Sequence, residues 1–236
     1  TVLKTMVDDS FTPQSGIKVN IKLVDPTALL GAVVAGNGPD LVVSTDSWNP
    51  VNYALRKAAE DLTQFEDFDE VISAFNESAY AALSWQGGVY GLPETQVVSV
   101  LFYRQDILDE LGLEVPETWA ELIGILPTIQ GNNMSLGIPY PSITAPNQST
   151  LYSLIYQGGG QIYNEEATRT LLNEEEAVQA FDFYTSPYTD YGLPKEFDFI
   201  SRFRSGEMPL GIADFTTFNV LAVSAPEIRG LWDFTF

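Results

Sequence analysis

The stretch "SGIKVNIKLVDPTALLGAVVAGNGPDLVVST", Ser15 to Thr45, constrains the fold more than any other part of the chain. Ile17, Val19, Ile21 and Leu23 alternate with Lys18, Asn20 and Lys22, the period of a half-buried strand. Asp25 stands where an N-cap would, Pro26 suits a first helical turn, and Leu29, Leu30, Val33 and Val34 share one helical face. Gly36 and Gly38 stop that helix, and "PDLVVST" follows as a short apolar strand of the kind buried in parallel sheets. Strand, helix and strand in this order predict a right-handed crossover unit within an α/β fold.

The alternation continues downstream. Helices are expected over 49–62 and over 69–85, the second with Val71, Ile72, Phe75, Ala79 and Ala82 on one stripe. "LSWQGGVYGLP" predicts a hairpin turning at Gly87-Gly88. "QDILDELGL" reads as a short helix stopped by Gly112. Thr118 with Glu121 forms a capping box, and Asn173 with Glu176 a second one. A helix ended by Gly206, a strand from Met208 to about Ala213 and a strand in "GLWDFTF" close the chain.

With 236 residues, the chain has room for one large domain or two lobes of about 100–120 residues each. A net charge of −21 disfavours nucleic-acid backbones and anionic lipid surfaces. The sequence has neither cysteine nor histidine, so disulfides, thiolate chemistry and Ser-His-Asp or Cys-His hydrolases are excluded. Any enzyme here would work with carboxylates, Tyr, Lys or Ser. No run approaches the roughly 18 uninterrupted apolar residues of a membrane span. "TVLKTMVDDSF" lacks a signal-peptide pattern, and a piece of a longer, processed and exported protein is expected.

In "GLPETQVVSVLFY", Glu94, Thr95 and Gln96 precede an apolar run. They mark either a strand entering a core from a turn or a strand that leaves one lobe and crosses to another. "GVYGLPETQVVSVLFYRQDILDELGLEVPETWAEL" resembles the family 1 extracellular solute-binding proteins of ABC importers, the maltose-binding-protein group. The matching pieces are Gly88-Val89-Tyr90-Gly91-Leu92-Pro93, the pair Phe102-Tyr103, and Pro116-Glu117-Thr118-Trp119-Ala120-Glu121. "AGNGPDLVV" and "FRSGEMPLGI" agree with the same family in order and spacing.

The resemblance implies an α/β, two-lobed, periplasmic-binding-protein-like (type II) fold with a hinge between lobes. It also implies that this chain lacks the family's first strand and its C-terminal part. Lobe I is then expected over 1–98, a hinge strand over 99–101 and lobe II over 102–236, both lobes incomplete. On this reading the polar residues of the crossing strand line a cleft between lobes.

A sugar cleft wants aromatic planes for C–H faces and polar side chains for hydroxyls. "STDSWNP" follows a strand at its carboxyl end, so Thr45, Asp46 and Trp48 are candidates, against a reading in which Asp46 or Ser47 only caps a helix. Glu94, Thr95 and Gln96 are candidates on the crossing strand. Asn147, Gln148, Ser149 and Tyr152 match the family's lobe II cleft stretch by their position before the glycines of "YQGGG"; helix capping and core packing are the alternatives. Asp214, Phe215 and Thr216 follow a lobe II strand where the family often has a Trp, which this sequence lacks, and Asp214 could instead cap the next helix.

The resemblance implies a binding protein without chemistry, cofactor or metal. It would capture a mono- or oligosaccharide and pass it to an ABC permease. It would act as a monomer outside the cytoplasm, either periplasmic or as a cell-surface lipoprotein. Rival readings are a sensor's ligand-binding module, a binder of polyamine, peptide or metal using Tyr188 and Tyr191, and a carboxylate-pair glycoside hydrolase. "FEDFDE" lacks calcium-loop spacing, and "QGGGQ" lacks the Lys-Ser/Thr of a phosphate loop.

Overall fold

The computed structural model describes residues 2–140 and 149–236. The chain divides into two compact units, Thr1–Gln96 and Val97–Phe236.

The first unit is mostly helical. Successive helical stretches α1 (Val2–Met6), a π-helical turn (Val7–Phe11) and α2 (Thr12–Ser15) end at Gly16 in the left-handed region. Helix α3 (Pro26–Val34) begins as its sequence predicts, with the Asp25 carboxylate accepting from the Thr27 amide at 2.8 Å. Helices α4 (Asn49–Ala54), α5 (Phe68–Ile72) and α6 (Glu77–Tyr80) follow. Then comes a hairpin of β1 (Ser84–Trp85) and β2 (Gly88–Val89).

Four expectations fail here, the first being the helix expected over 49–62, which stops at Ala54 before Lys57 turns into the left-handed region (φ 56°). Residues 17–23 and 41–43 form no ladder among the described residues, and Leu23 and Leu41 lie exposed. An alternating pattern supplies a strand's apolar face, but pairing needs a neighbour, and neither segment hydrogen-bonds to one. The single helix expected over 69–85 is broken after Ile72, where Asn76 turns extended (ψ 144°), and its second half shrinks to α6 and a 3₁₀ turn. The hairpin turns at Gln86-Gly87 rather than Gly87-Gly88. Both turn residues have positive φ (49° and 84°), as a two-residue turn of the twist-matched kind requires. Gly88 instead allows close approach: a Cβ there would lie 2.8 Å from both Asp61 Oδ2 and the Tyr90 hydroxyl. Asp61 in turn accepts from the amides of Thr63 and Val89, tying the hairpin to the preceding turn.

The second unit holds the main core. Strand β3 (Ser99–Arg104) leads into α7 (Gln105–Leu111), which stops at Gly112 in the left-handed region. Helix α8 (Trp119–Gly124) carries the Thr118–Glu121 capping box with both of its hydrogen bonds formed. Then come α9 (Leu126–Gly131), β4 (Leu136–Gly137), α10 (Ser149–Gln157) and α11 (Glu175–Thr189). The expected Asn173–Glu176 box is absent. Glu174 occupies the cap position without a side-chain bond, so the helix starts one residue too late for that pairing. Helix α12 (Phe199–Ser205), capped by Asp198, then β5 (Leu210–Asp214), α13 (Thr217–Ser224) and β6 (Trp232–Thr235) complete the unit.

The sheet order is β4-β5-β3-β6. Strand β3 is antiparallel to both neighbours, and β4 is parallel to β5. Residues 99–101 thus belong to the central strand, which places Ser99 opposite Asp214. The side chains of β3 separate two cores by simple alternation. Val100 and Phe102 join Phe203, Leu221 and Ile228 on one face, while Leu101 and Tyr103 pack toward Leu108, Leu126, Ile129 and Leu210 on the other. Gly211, on the Phe102 face, leaves room for the Phe199 ring, which an added Cβ would meet at 2.2 Å.

At the end of β3, buried Arg104 makes a forked pair with Asp106 (2.8 and 2.6 Å) and donates to the carbonyls of Phe203 and Arg204 at the end of α12. One guanidinium therefore joins the strand to two helices. The Arg104 hydrogen bond holds the Asp106 carboxyl below its usual value of 3.8. A depressed native pKa contributes stability above pH 3.8, lost as pH falls through the native value. Asp106→Asn is therefore expected to be less stable than the parent at neutral pH, with the gap narrowing below pH 3.8 in urea titrations.

Candidate functional site

In the first unit, the loop after residues 41–43 and the segment before β3 come together. Ser44 is in the left-handed region (φ 57°), unusual for a residue other than glycine. Its amide donates to Glu94 Oε2 at 3.0 Å, and its hydroxyl reaches Oε2 at 3.1 Å and Oε1 at 3.3 Å. The next residue, Thr45, accepts at its hydroxyl from the Asn49 side-chain amide at 2.8 Å. Asn49 is only 3% exposed, so this bond satisfies a buried polar group. The Asp46 carbonyl accepts from the Asn49 amide, which closes the turn.

Helix α4 starts without any side-chain cap, so neither the Asp46 nor the Ser47 side chain serves the helix end. The Asp46 carboxylate has no hydrogen-bond or ion-pair partner among the described residues, and the Trp48 ring is 62% exposed. A carboxylate and an indole, two residues apart, are thus both exposed on a loop pinned at Ser44 and Thr45. Thr95 and Gln96 are exposed, and no described side chain hydrogen-bonds to them.

In the second unit, Asp214, Phe215 and Thr216 follow β5 at one end of the sheet. Strands β4 and β5 end there and β3 begins there. Asp214 pairs in register with Ser99, and the Phe215 amide donates to the Val98 carbonyl at 2.9 Å. Asp214 and Thr216 are exposed, and neither caps α13, whose N-terminus has no side-chain bond. Phe215 stacks on Phe218 and meets Phe234 edge-on at 5.0 Å, yet keeps an exposed face. The aromatic residue next to Asp214 in the chain is therefore Phe215.

Tyr152 projects from α10 with part of its ring exposed. Ser149 opens the backbone of that helix. Asn147 and Gln148 lie outside the described residues.

Two tyrosines of α11 fix the chain as it leaves β4. Tyr184 donates to the Pro139 carbonyl at 2.9 Å and Tyr188 to the Ile138 carbonyl at 3.0 Å. Burial pushes the Tyr184 phenol up to about 12 and that of Tyr188 higher still, so both remain protonated donors. Tyr188, one of the pair considered for metal, is thus engaged with the backbone. The half-exposed Tyr140 ring packs on Tyr188 at 4.8 Å with Lys195 over it at 5.1 Å.

Residues 2–192 match the family model described as "Bacterial extracellular solute-binding protein". The chain belongs to that family. It is 25% identical over 191 residues to a maltotriose-binding protein of Pyrococcus abyssi, an alignment covering 78% of this chain and 39% of the relative. An arabinooligosaccharide-binding protein of Halalkalibacterium halodurans is 25% identical over 66% of this chain and 34% of its own length. The fold superposes on the sugar-binding protein MalE of Xanthomonas citri with a TM-score of 0.80 at 21% identity, covering 99% of this chain and 62% of that one. A Listeria monocytogenes ABC substrate-binding protein in complex with cycloalternan gives 0.70 at 25% identity, covering 99% and 62%. The chain thus has the α/β fold of the two-lobed solute-binding proteins, and it spans between about a third and two thirds of these relatives.

Sequence reasoning did not find Asn49, Ser44 or Val98, the residues that hold the exposed candidates in place. None belongs to a periodic pattern, and a buried amide ahead of a proline carries no local signal. Asn49→Ala should cost about 1–2 kcal/mol, the range for deleting a buried hydrogen-bonding group. The check is urea unfolding of the variant beside the parent, with far-UV circular dichroism to confirm the native fold.

Proposed function

We propose that this chain is the solute-capturing component of an ABC importer and that its solute is a mono- or oligosaccharide, bound without chemistry. The observation that carries the reading is that the Trp48 indole and the unpartnered Asp46 carboxylate are both exposed on one loop held by hydrogen bonds at Ser44 and Thr45. An indole face suits the C–H face of a pyranose, and a carboxylate accepts from hydroxyls. The second unit offers the same pairing in Phe215 and Asp214, with Tyr152 and Thr216 as further groups. Relatives whose names specify maltotriose or arabinooligosaccharide support a sugar as the solute.

Both units take part in capture on this reading, and Thr45, Glu94, Thr95, Gln96, Asn147, Gln148 and Ser149 complete or support the recognition set. The short connection ahead of β3 is the hinge, and the permease recognises the liganded form. The protein works as a monomer outside the cytoplasm, periplasmic or lipid-anchored. Among the described residues no helix is long and apolar enough to cross a membrane.

Titration of the complete chain with a panel of sugars should give a saturable change in tryptophan emission with one of them. Trp48→Ala should weaken that binding about tenfold or more, about 1.4 kcal/mol, with circular dichroism unchanged. A reducing-end assay should show the oligosaccharide intact. Silence across the panel, or hydrolysis, would overturn the reading.

A further inference from the structure

We propose that Glu94 is a positioning residue rather than a solute contact, and that the connector it begins ties the recognition segments of the two units to one stretch of chain. The proposal rests on the preceding reading that residues 44–48 and 214–216 meet the solute. Both carboxylate oxygens of Glu94 are already engaged within its own unit, Oε2 by the Ser44 amide and hydroxyl and Oε1 by the same hydroxyl. The hydroxyl has a single proton, so its two contacts share it, while the amide bond is independent.

The left-handed conformation of Ser44 explains why an ionised acceptor is used here. At φ 57° a residue with a Cβ needs outside support, and a hydrogen bond to a charged acceptor is stronger than one to a neutral group. Ser44 sets the direction in which the chain leaves for Thr45, Asp46 and Trp48. Removing the carboxylate would let Ser44 relax to an ordinary conformation and turn the exposed indole and carboxylate away together.

The other end of the connector is also held. The Val98 carbonyl accepts from Phe215, and Ser99 pairs with Asp214. Between these two anchorages Thr95, Gln96 and Val97 are exposed and form no regular structure. The loop bearing Trp48 is therefore bonded to the beginning of the connector, and the loop bearing Phe215 to its end. A change in the path of 94–98 reaches both loops through hydrogen bonds rather than through packing.

The test uses the complete chain with Glu94→Ala, Glu94→Gln, Ser44→Ala and the Glu94→Ala/Ser44→Ala double variant. The Trp48 contribution to emission and acrylamide quenching, taken as the difference from a Trp48→Phe background, is measured first without sugar. It should change in Glu94→Ala and be largely restored in Glu94→Gln, which keeps an oxygen acceptor for the Ser44 amide. Sugar affinity should fall about tenfold or more in Glu94→Ala, the range of a charged hydrogen bond. The double variant should bind no more weakly than Glu94→Ala alone, because both changes break one unit.

An unchanged Trp48 signal in Glu94→Ala, or losses that add in the double variant, would overturn the proposal and make Glu94 a direct contact. Should Glu94→Ala not fold, Glu94→Asp withdraws the carboxylate and is read in the same way. If the parent binds no sugar, the proposed function falls while the sugar-free Trp48 signal still decides the role of Glu94.

Discussion

The second unit depends on the two-sided pairing of β3. This strand hydrogen-bonds to β5 and β6 at once and sends alternate side chains into two separate cores. Phe102 is 0% exposed at its centre, with the rings of Phe199, Phe203, Trp232 and Phe234 all about it at 5.9–6.4 Å. Each tilted or edge-on pair adds a little to the area term, and together they fix one arrangement of α12, β6 and the strand. Arg104 closes the same strand by binding a carboxylate and two helix-end carbonyls. The start of β3 is held by its own pairing, Ser99 in register with Asp214 and the Val98 carbonyl accepting from the Phe215 amide, which gives the connector before it a fixed point.

That fixed point bears on the proposed function because two of the proposed recognition residues, Asp214 and Phe215, are bonded to it. Asp214 is the register partner of Ser99, and Phe215 is bonded to Val98. At the far end of the connector, Glu94 supports the turn that presents Asp46 and Trp48. In each unit the presenting loop is short and its backbone is held, while the groups facing solvent have no internal polar partner. Preorganisation of this kind lowers the ordering cost of binding.

How much was legible in the sequence follows from how local each feature is. The Asp25 cap, the Thr118–Glu121 box and the stops at Gly112 and Gly206 depend on a few adjacent residues, and all four formed. The solute-binding family was legible from separated motifs whose order survives at low identity. Residues 17–23 and 41–43 failed as strands because a ladder is a property of two segments. The exposure of Trp48, Asp46, Asp214 and Thr216 agrees with the loop positions expected of them after apolar runs. The contacts that hold them join residues distant in sequence, Ser44 with Glu94 and Val98 with Phe215, and no spacing rule reports those. Glu94 was expected to line a cleft from its place on the crossing strand, and its bond to Ser44, fifty residues away, carries no sequence signal.

On the proposed function, segments 43–49 and 212–218 both respond to the solute. Hydrogen exchange read by mass spectrometry, with and without a saturating sugar, tests it most directly. The account predicts slowed exchange in peptides covering 43–49 and 212–218 together, with the same sugar dependence. Slowing confined to one of these segments, or found only elsewhere in the chain, would contradict it.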